Sequence, residues 1–294
     1  RLSLVGSEMC IRDSYAYGAI DSGSSYADSE NGINSEKVIR DLRKLKENED
    51  VKAVVLRVNS PGGSAFGSEQ IWYAVTELKK EKPVIVSMGD YAASGGYYIS
   101  CNADSIVADP TTLTGSIGIF GMFPNVKGLT DKIGLSFDVV KTNTYSDFGM
   151  MGRALNDGEK ALMQNMVNEG YELFVKRCAE GRGMTTDEIK KIAEGRVWTG
   201  AKAKELGLVD ELGGLDKALE MAIAKAGLDA YTVMSYPGKK SFFETLMDTN
   251  PGRYIQSRML KGKVGELYNQ FDWLNNFENY DKIQARVPFE LNIN

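Results

Sequence analysis

Two stretches decide the fold of this chain: VKAVVLRVNSPGG at residues 51–63 and PVIVSMGDYAASGG at residues 83–96. Each begins with a nearly continuous run of β-branched and aliphatic residues, which is typical of a strand buried on both faces of a parallel sheet. Each run ends in a glycine-rich turn, and a helix is predicted after each turn, over about residues 68–80 in the first case. Strand, turn and helix in repetition predict right-handed βαβ units and therefore an α/β fold.

Upstream of this pair, residues 15–21 alternate bulky and small side chains and predict an opening strand. A polar loop follows. Asn34 or Ser35 is then expected to cap a helix, because Val38, Ile39, Leu42 and Leu45 recur on one face at helical spacing.

Downstream, the sequence predicts short strands at residues 105–108, 117–120 and 137–141, with a helix between the last two. Beyond residue 155 the pattern becomes helical. Thr185 and Glu188 form a T-x-x-E capping box at the start of one of these helices.

The composition is that of an ordinary globular chain. The 294 residues are 43% hydrophobic and 26% charged, which suffices for one sizeable α/β domain or for one domain with an appended tail. The net charge is −5 and the basic residues are scattered among acidic ones, so we expect no nucleic-acid partner. No stretch approaches the ~18 uninterrupted apolar residues of a membrane-spanning helix.

The chain contains no histidine, which narrows the possible chemistry. A Ser-His-Asp or Cys-His catalytic centre cannot be built from its residues. Zinc would lack its commonest ligand, and Cys10, Cys101 and Cys178 form no CxxC pair. We therefore expect no metal and no cofactor, and we interpret Cys101 and Cys178 as small buried residues.

The two glycine-rich turns, SPGG at residues 60–63 and ASGG at residues 93–96, carry the predicted chemistry. Both follow parallel strands, and ligands of open α/β sheets bind at that edge. Glycines there leave backbone N–H groups unobstructed, as an oxyanion hole requires, and Ser94 would be exposed beside them at the start of a helix. Either turn by itself could merely reverse the chain; the pair in this order is more specific.

These turns and their surroundings resemble the signal peptide peptidase A (protease IV) family, within the Clp protease/crotonase-like superfold. The resemblance is carried by VKAVVLRVNSPGG, KPVIVSMGDYAASGGYYIS, TLTGSIGIFG and EGRVWTGAKAKELGLVDELGG, and it covers about residues 15–230. It implies a parallel-sheet core with outer helices and a helical C-terminal arm. It also implies a Ser/Lys dyad, in which an uncharged lysine amine takes the proton of the serine hydroxyl.

The resemblance assigns a role to each matching residue. Ser94 matches the nucleophile, and the N–H groups of Gly63 and Gly95 match the oxyanion donors. Ser116 matches the serine that hydrogen-bonds the lysine amine; without the family, Ser116 reads equally well as a turn residue bonded to its own backbone. Asp90, Tyr91, Tyr97 and Tyr98 flank the nucleophile and are candidates for shaping the substrate groove, but aromatic packing against the next subunit would explain the tyrosines as well.

The sequence departs from the short form of the family at the position of the catalytic lysine. The segment aligned with its catalytic lysine reads KTNTYSDFG here, and Ser146 stands at the lysine position. Lys141, five residues earlier, is a weak substitute. A strand rises ~3.3 Å per residue, so a shift of five residues would carry the lysine amine well away from the serine. The chain thus resembles the second, serine-bearing repeat of the long form, and we expect a missing N-terminal repeat to supply both the lysine and a membrane anchor.

The expected organisation has three parts. Residues 1–14 resemble a translated sequencing adapter and are expected to be artefactual; residues 15–235 form the peptidase domain; residues 236–294 form a C-terminal extension.

The expected function is serine endopeptidase cleavage of signal peptide remnants and other small apolar peptides in the bacterial cell envelope. The full-length parent would be attached to the inner membrane facing the periplasm, as a homo-oligomer that is tetrameric in the long-form family. The isolated chain is expected to be inactive. The alternatives are a crotonase-like acyl-CoA enzyme and a non-catalytic assembly subunit.

Overall fold

A computed structural model of the protein describes residues 10–22, 32–236 and 283–286. The two decisive stretches form the neighbouring strands β4 and β6 of a largely parallel sheet. In chain order the elements are β1 (Cys10–Tyr17), β2 (Ala19–Asp21), β3 (Gly32–Asn34), α1 (Ser35–Glu47), β4 (Val51–Ser60), β5 (Gly62–Ser64), α2 (Ala65–Lys79), β6 (Val84–Ala93), α3 (Gly95–Ser100), β7 (Ser105–Ala108), β8 (Leu113–Gly115), β9 (Phe120–Gly121), α4 (Lys127–Lys132), α5 (Asp157–Arg182), α6 (Thr186–Ile192), β10 (Val197–Thr199), α7 (Gly200–Glu205), β11 (Glu211–Leu212), α8 (Leu215–Ala226), β12 (Thr232–Tyr236) and β13 (Ile283–Arg286).

The main sheet runs in the order β10-β8-β6-β4-β1-β12, and β7 also pairs with β6 and carries β11. Alternate residues of β4 enter two different cores. Val54, Leu56 and Val58 pack with residues of α1, α2 and α3 on one face. Ala53 and Val55 pack against α8 on the other face. The prediction of an α/β fold with strands buried on both faces is confirmed.

A second, smaller sheet lies at the carboxyl end of the main strands, in the order β3-β2-β5-β13-β9. Its middle strand, β5, is the GGS segment that directly follows the turn after β4. This second sheet therefore adjoins the edge of the main sheet at which the sequence predicts the site.

The predicted caps of two helices, α1 and α6, are confirmed. Asn34 caps α1 and its side chain accepts the N–H of Lys37 at 2.9 Å. The capping box of Thr185 and Glu188 opens α6 with both reciprocal bonds present. Such caps satisfy N–H groups that have no partner within the helix.

Three strand predictions need correction. The first strand begins at Cys10 rather than residue 15, and pairs with β4 and β12 from that residue onward. Residues 117–120 are not one strand, since β8 ends at Gly115 and β9 begins at Phe120. Residues 137–141 form no strand; this segment is exposed, and β propensity alone does not make a strand without a partner.

Within the described residues, no helix combines the length and the apolar character needed to cross a membrane. The predicted C-terminal extension, residues 236–294, lies outside the described residues except for Tyr236 and β13, and so does most of residues 1–14. The proposed domain limits stay predictions.

Candidate active site

The two glycine-rich turns meet at one edge of the main sheet. Strands β4 and β6 are parallel neighbours, and Ser60 is in register with Ala92 at their carboxyl ends. The SPGG turn leaves β4 at this edge, and the ASGG turn leaves β6 beside it. The Ser60 hydroxyl donates to the Gly18 carbonyl oxygen at 2.7 Å and accepts the N–H of Gly62 at 3.1 Å, which fixes the first turn from within.

The backbones of the two turns approach so closely that only glycine fits. A methyl group on Gly62 would lie 2.6 Å from the nitrogen of Gly95, and one on Gly95 would lie 3.0 Å from the Cα of Gly62. Gly62 also has a φ of +94°, which a side chain disfavours. Gly63, the predicted oxyanion donor, packs instead against β2, where a methyl group would come within 2.0 Å of the Ile20 carbonyl oxygen.

Ser94 occupies a strained turn between β6 and α3. Its φ of 54° and ψ of −115° lie outside the regions that residues with a side chain normally adopt. Such a conformation costs ~1–3 kcal/mol, so the surroundings must hold it in place. The Ser94 N–H donates to the Gly115 carbonyl oxygen at 2.8 Å, and the Tyr98 N–H donates to the Ser94 carbonyl oxygen at 2.8 Å.

Ser116 lies on the adjacent strand end and shares this unusual backbone. β8 pairs with the end of β6, and Gly115 is in register with Ala93. Ser116 and Ser94 are therefore the residues that directly follow this pair on the two neighbouring strands. The φ of Ser116 is 50°, and its N–H donates to the Arg196 carbonyl oxygen at 2.7 Å. Among the described residues only Ser94, Ser116 and Glu194 combine a side chain with positive φ. Two of these three are the serines that the sequence selects.

Both serines are buried, with Ser94 only 1% exposed and Ser116 3% exposed. The sequence reading expected Ser94 to be exposed, and here it is covered. The Ser94 hydroxyl oxygen lies 3.5 Å from the Gly118 carbonyl oxygen, which is longer than a normal hydrogen bond.

Within the described residues, no lysine lies in hydrogen-bonding distance of Ser94. The Lys141 ammonium binds the Asp147 carboxylate at 3.0 Å, and the Lys127 ammonium binds Asp131 at 2.7 Å. Ser146, at the position aligned with the family's lysine, lies in an exposed turn. Among all the described residues, no group of three or more side chains could together hold a metal ion.

Tyr97 and Tyr98, which follow Ser94, are packing residues. Tyr97 and Tyr98 are buried; the Tyr97 hydroxyl donates to the Leu208 carbonyl oxygen at 3.0 Å and the Tyr98 hydroxyl to Glu69 at 2.7 Å. Burial raises the pKa of both phenols well above the ordinary value. The interpretation that these tyrosines pack against the next subunit is wrong for Tyr97 and Tyr98, because contacts within their own chain already bury both side chains.

One component of the site was missed from the sequence. Strand β13 lies between β5 and β9 and pairs antiparallel with both. Its register places Ala285 opposite Gly63, so a segment far along the chain lies on the predicted oxyanion loop. The short sequence IQAR carries no turn or cap signal that could have indicated this pairing.

A Clp-type α/β fold is the class that this sheet, its two glycine turns and the strained serine define. In agreement, the Clp protease family model matches residues 26–108. The model described as peptidase family S49 matches residues 76–229, just over half of the chain, and the chain belongs to that family.

Individual relatives agree with this assignment. The chain is 42% identical over 239 residues to Protease 4 of Salmonella typhi, covering 81% of this chain and 38% of the relative. It is 35% identical over 224 residues to a putative signal peptide peptidase SppA of Enterococcus faecium, covering 76% of this chain and 65% of the relative. A solved ClpP1 mutant from Listeria monocytogenes aligns with a TM-score of 0.47 at 17% identity, over 70% of this chain and 94% of that chain. The chain therefore spans only 38% of the length of the Salmonella relative.

Proposed function

We propose that this chain is the serine-bearing part of an endopeptidase that works by a Ser/Lys dyad. The observation that carries the proposal is the strained backbone of Ser94 at the point where Gly62 and Gly95 touch. Strain held by the surrounding structure is a feature of catalytic turns, where it fixes a reacting group in one geometry. Membership of a peptidase family favours this reading over the acyl-CoA alternative.

In the proposed reaction, Ser94 is the nucleophile. A neutral lysine amine removes the hydroxyl proton as the oxygen attacks the peptide carbonyl carbon, and the N–H groups of Gly63 and Gly95 receive the charge on the carbonyl oxygen. The ammonium then returns its proton to the leaving amine. Water hydrolyses the resulting ester by the same route, which regenerates the serine. Ser116 orients the lysine amine.

The lysine in this proposal comes from outside the described residues, from a preceding repeat as in the long form of the family. Two facts support this: Lys127 and Lys141 are paired with aspartates, and the hydroxyl of Ser94 lies against the Gly118 carbonyl oxygen rather than against a described lysine. The base must lie about 2.6–3.2 Å from the proton that it removes, so a distant lysine cannot serve.

The proposed substrates are extended apolar peptides such as signal peptide remnants in the bacterial envelope. Similarity to the putative signal peptide peptidase SppA of Enterococcus faecium supports this substrate class. We further propose that the protein acts as a homo-oligomer. An apolar arm, defined as residues 122–148, supports this because it exposes a set of large side chains: Met122, Leu129, Ile133, Leu135, Phe137, Val139, Val140, Tyr145 and Phe148. Contiguous exposed apolar surface marks association sites.

The test is hydrolysis of a fluorogenic apolar peptide by this chain mixed with the lysine-bearing repeat of a long-form relative. We expect activity in the mixture, none in either part alone, and none when the chain carries Ser94→Ala. Ser146→Ala, a matched change at an exposed serine, should leave the rate unaltered. Activity that survives Ser94→Ala would contradict the assignment of the nucleophile; a mixture that never hydrolyses peptide would support the non-catalytic subunit.

A further inference from the structure

Strand β13 lies between the edges of β5 and β9, next to the candidate site. It runs antiparallel to β5, with Gln284 opposite Ser64, Ala285 opposite Gly63 and Arg286 opposite Gly62. On its other side it pairs antiparallel with β9, with Ile283 opposite Gly121 and Gln284 opposite Phe120. Addition of an extended strand between two strand edges is a common mode of peptide recognition, in which main-chain hydrogen bonds supply the affinity.

The carbonyl group of Ala285 lies against the glycines of both turns. A methyl group on Gly62 would come within 2.0 Å of the Ala285 carbonyl oxygen, and one on Gly95 within 2.9 Å of the same atom. This oxygen therefore lies where the two turns converge beside Ser94. In an acyl-transfer site, that is the position of the carbonyl group that is attacked.

The side chain of Ala285 is fully buried and belongs to the core on the α2 and α3 side of the sheet. Gln284, beside it, is 7% exposed. The space around Ala285 accommodates a methyl group among packed neighbours, and larger side chains in such a position usually cost stability through overpacking.

We propose that Ile283–Arg286 occupies the substrate groove of its own chain, with Ala285 as the residue presented to Ser94, so that the free groove selects extended peptides with a small residue at this position. This inference rests on the proposed function for the identity of the groove. An incoming peptide must displace β13, and its apparent affinity falls by the fraction of chains in which the groove is open.

The first experiment measures binding rather than catalysis. All chains carry Ser94→Ala, and a fluorescein-labelled peptide of the sequence KIQARVP, which copies residues 282–288, is titrated by anisotropy. Ala285→Trp should expel β13 from the groove and raise the affinity at least about tenfold over the parent, since an intramolecular competitor acts at ~mM effective concentration. Ala230→Trp, the same change at an exposed position, should leave the affinity unaltered.

A peptide with tryptophan in place of alanine should fail to bind the Ala285→Trp chain. Equal affinity of the KIQARVP peptide for the parent and for Ala285→Trp would overturn the proposal. Binding does not require a nucleophile, so the Ser94→Ala chains test the groove apart from catalysis. If these chains bind the peptide as expected while the chain with Ser94 never hydrolyses peptide in the mixture with the lysine-bearing repeat, the proposed peptidase activity is refuted and the groove assignment stands.

A second experiment avoids any change in β13, because Ala285→Trp could disturb folding. Hydrogen exchange is followed by mass spectrometry in the Ser94→Ala chain, with and without saturating KIQARVP peptide. The peptide should accelerate exchange in residues 283–286 several-fold and leave β6 unchanged. Unaltered exchange in residues 283–286 would show that β13 is a permanent strand of the fold and would overturn the proposal.

Discussion

At the scale of single residues, the site depends on four residues whose backbone adopts a contact or a conformation that a side chain normally prevents. Gly62 and Gly95 touch, and Ser94 and Ser116 adopt positive φ beside them. The glycines allow the contact because they have no Cβ, whereas the serines are held by hydrogen bonds to Gly115 and Arg196. The surrounding sheet thus fixes the position of a hydroxyl that has little freedom of its own.

A pair of glycine substitutions tests how tightly this turn is packed. Gly96 and Gly128 are each the second residue of a six-residue helix, α3 and α4. A methyl group on Gly96 would lie 2.6 Å from the Ser60 carbonyl oxygen, whereas one on Gly128 would meet no atom within 4 Å. We expect Gly96→Ala to destabilise the chain by ~1–3 kcal/mol and Gly128→Ala to stabilise it by ~0.5–1 kcal/mol.

Urea denaturation followed by circular dichroism would give both values. Helix propensity favours alanine equally at the two positions, so only the packing differs. Similar unfolding free energies for the two variants would contradict the close approach of α3 to β4.

At the scale of elements, the sequence predicts a strand, turn or helix cap correctly wherever the signal for it is local. β4, β6 and their turns follow from buried runs that end in glycine, and the caps of α1 and α6 follow from side chains that bond the next N–H groups. Residues 137–141 were predicted wrongly because a strand needs a partner, which the pattern does not contain. The pairing of β13 with β5 joins residues more than two hundred positions apart, and no local pattern encodes it.

The start of α5 is held by charges and should respond to acid. Arg153 binds Asp147 at 2.7 Å and Glu159 at 2.6 Å, and the Glu159 side chain is fully buried. Hydrogen bonds from Arg153 lower the pKa of Glu159 from 4.5 to about 2 and lower that of Asp147 below its ordinary value. A lowered pKa stabilises the folded state above the unfolded pKa, and this stabilisation is lost as the pH falls through the folded value.

We therefore expect this cluster to stabilise the chain fully above pH 5 and to lose its contribution between pH 4.5 and about 2. Arg153→Met should abolish that part of the pH dependence, because the carboxylates then lose their partner. The measurement is the urea midpoint at several pH values for both chains. Equal slopes below pH 4.5 in the parent and in Arg153→Met would contradict the assignment.

At the scale of the whole molecule, we propose that the chain supplies the nucleophile Ser94 and that the base lies outside the described residues. The fold class could be inferred from sequence, since it depends on motifs that follow one another along the chain, whereas the nucleophile role of Ser94 and a lysine from a preceding repeat stay proposals. The burial of Ser94 and the pairing of β13 with β5 could not be inferred, because both arise from long-range packing. The central claim is that Ser94 becomes reactive only when a lysine reaches it from outside the described residues.

The most direct measurement of this claim is site-resolved labelling by a serine-reactive fluorophosphonate, read by mass spectrometry of the tryptic peptide that contains Ser94. An alcohol without a base is a weak nucleophile, so the chain by itself should remain unlabelled while the chain mixed with the lysine-bearing repeat is labelled at Ser94. Mutation of the lysine in that repeat should abolish the labelling. Labelling of Ser94 in the isolated chain at the same rate as in the mixture would contradict the claim, since the base would then belong to this chain.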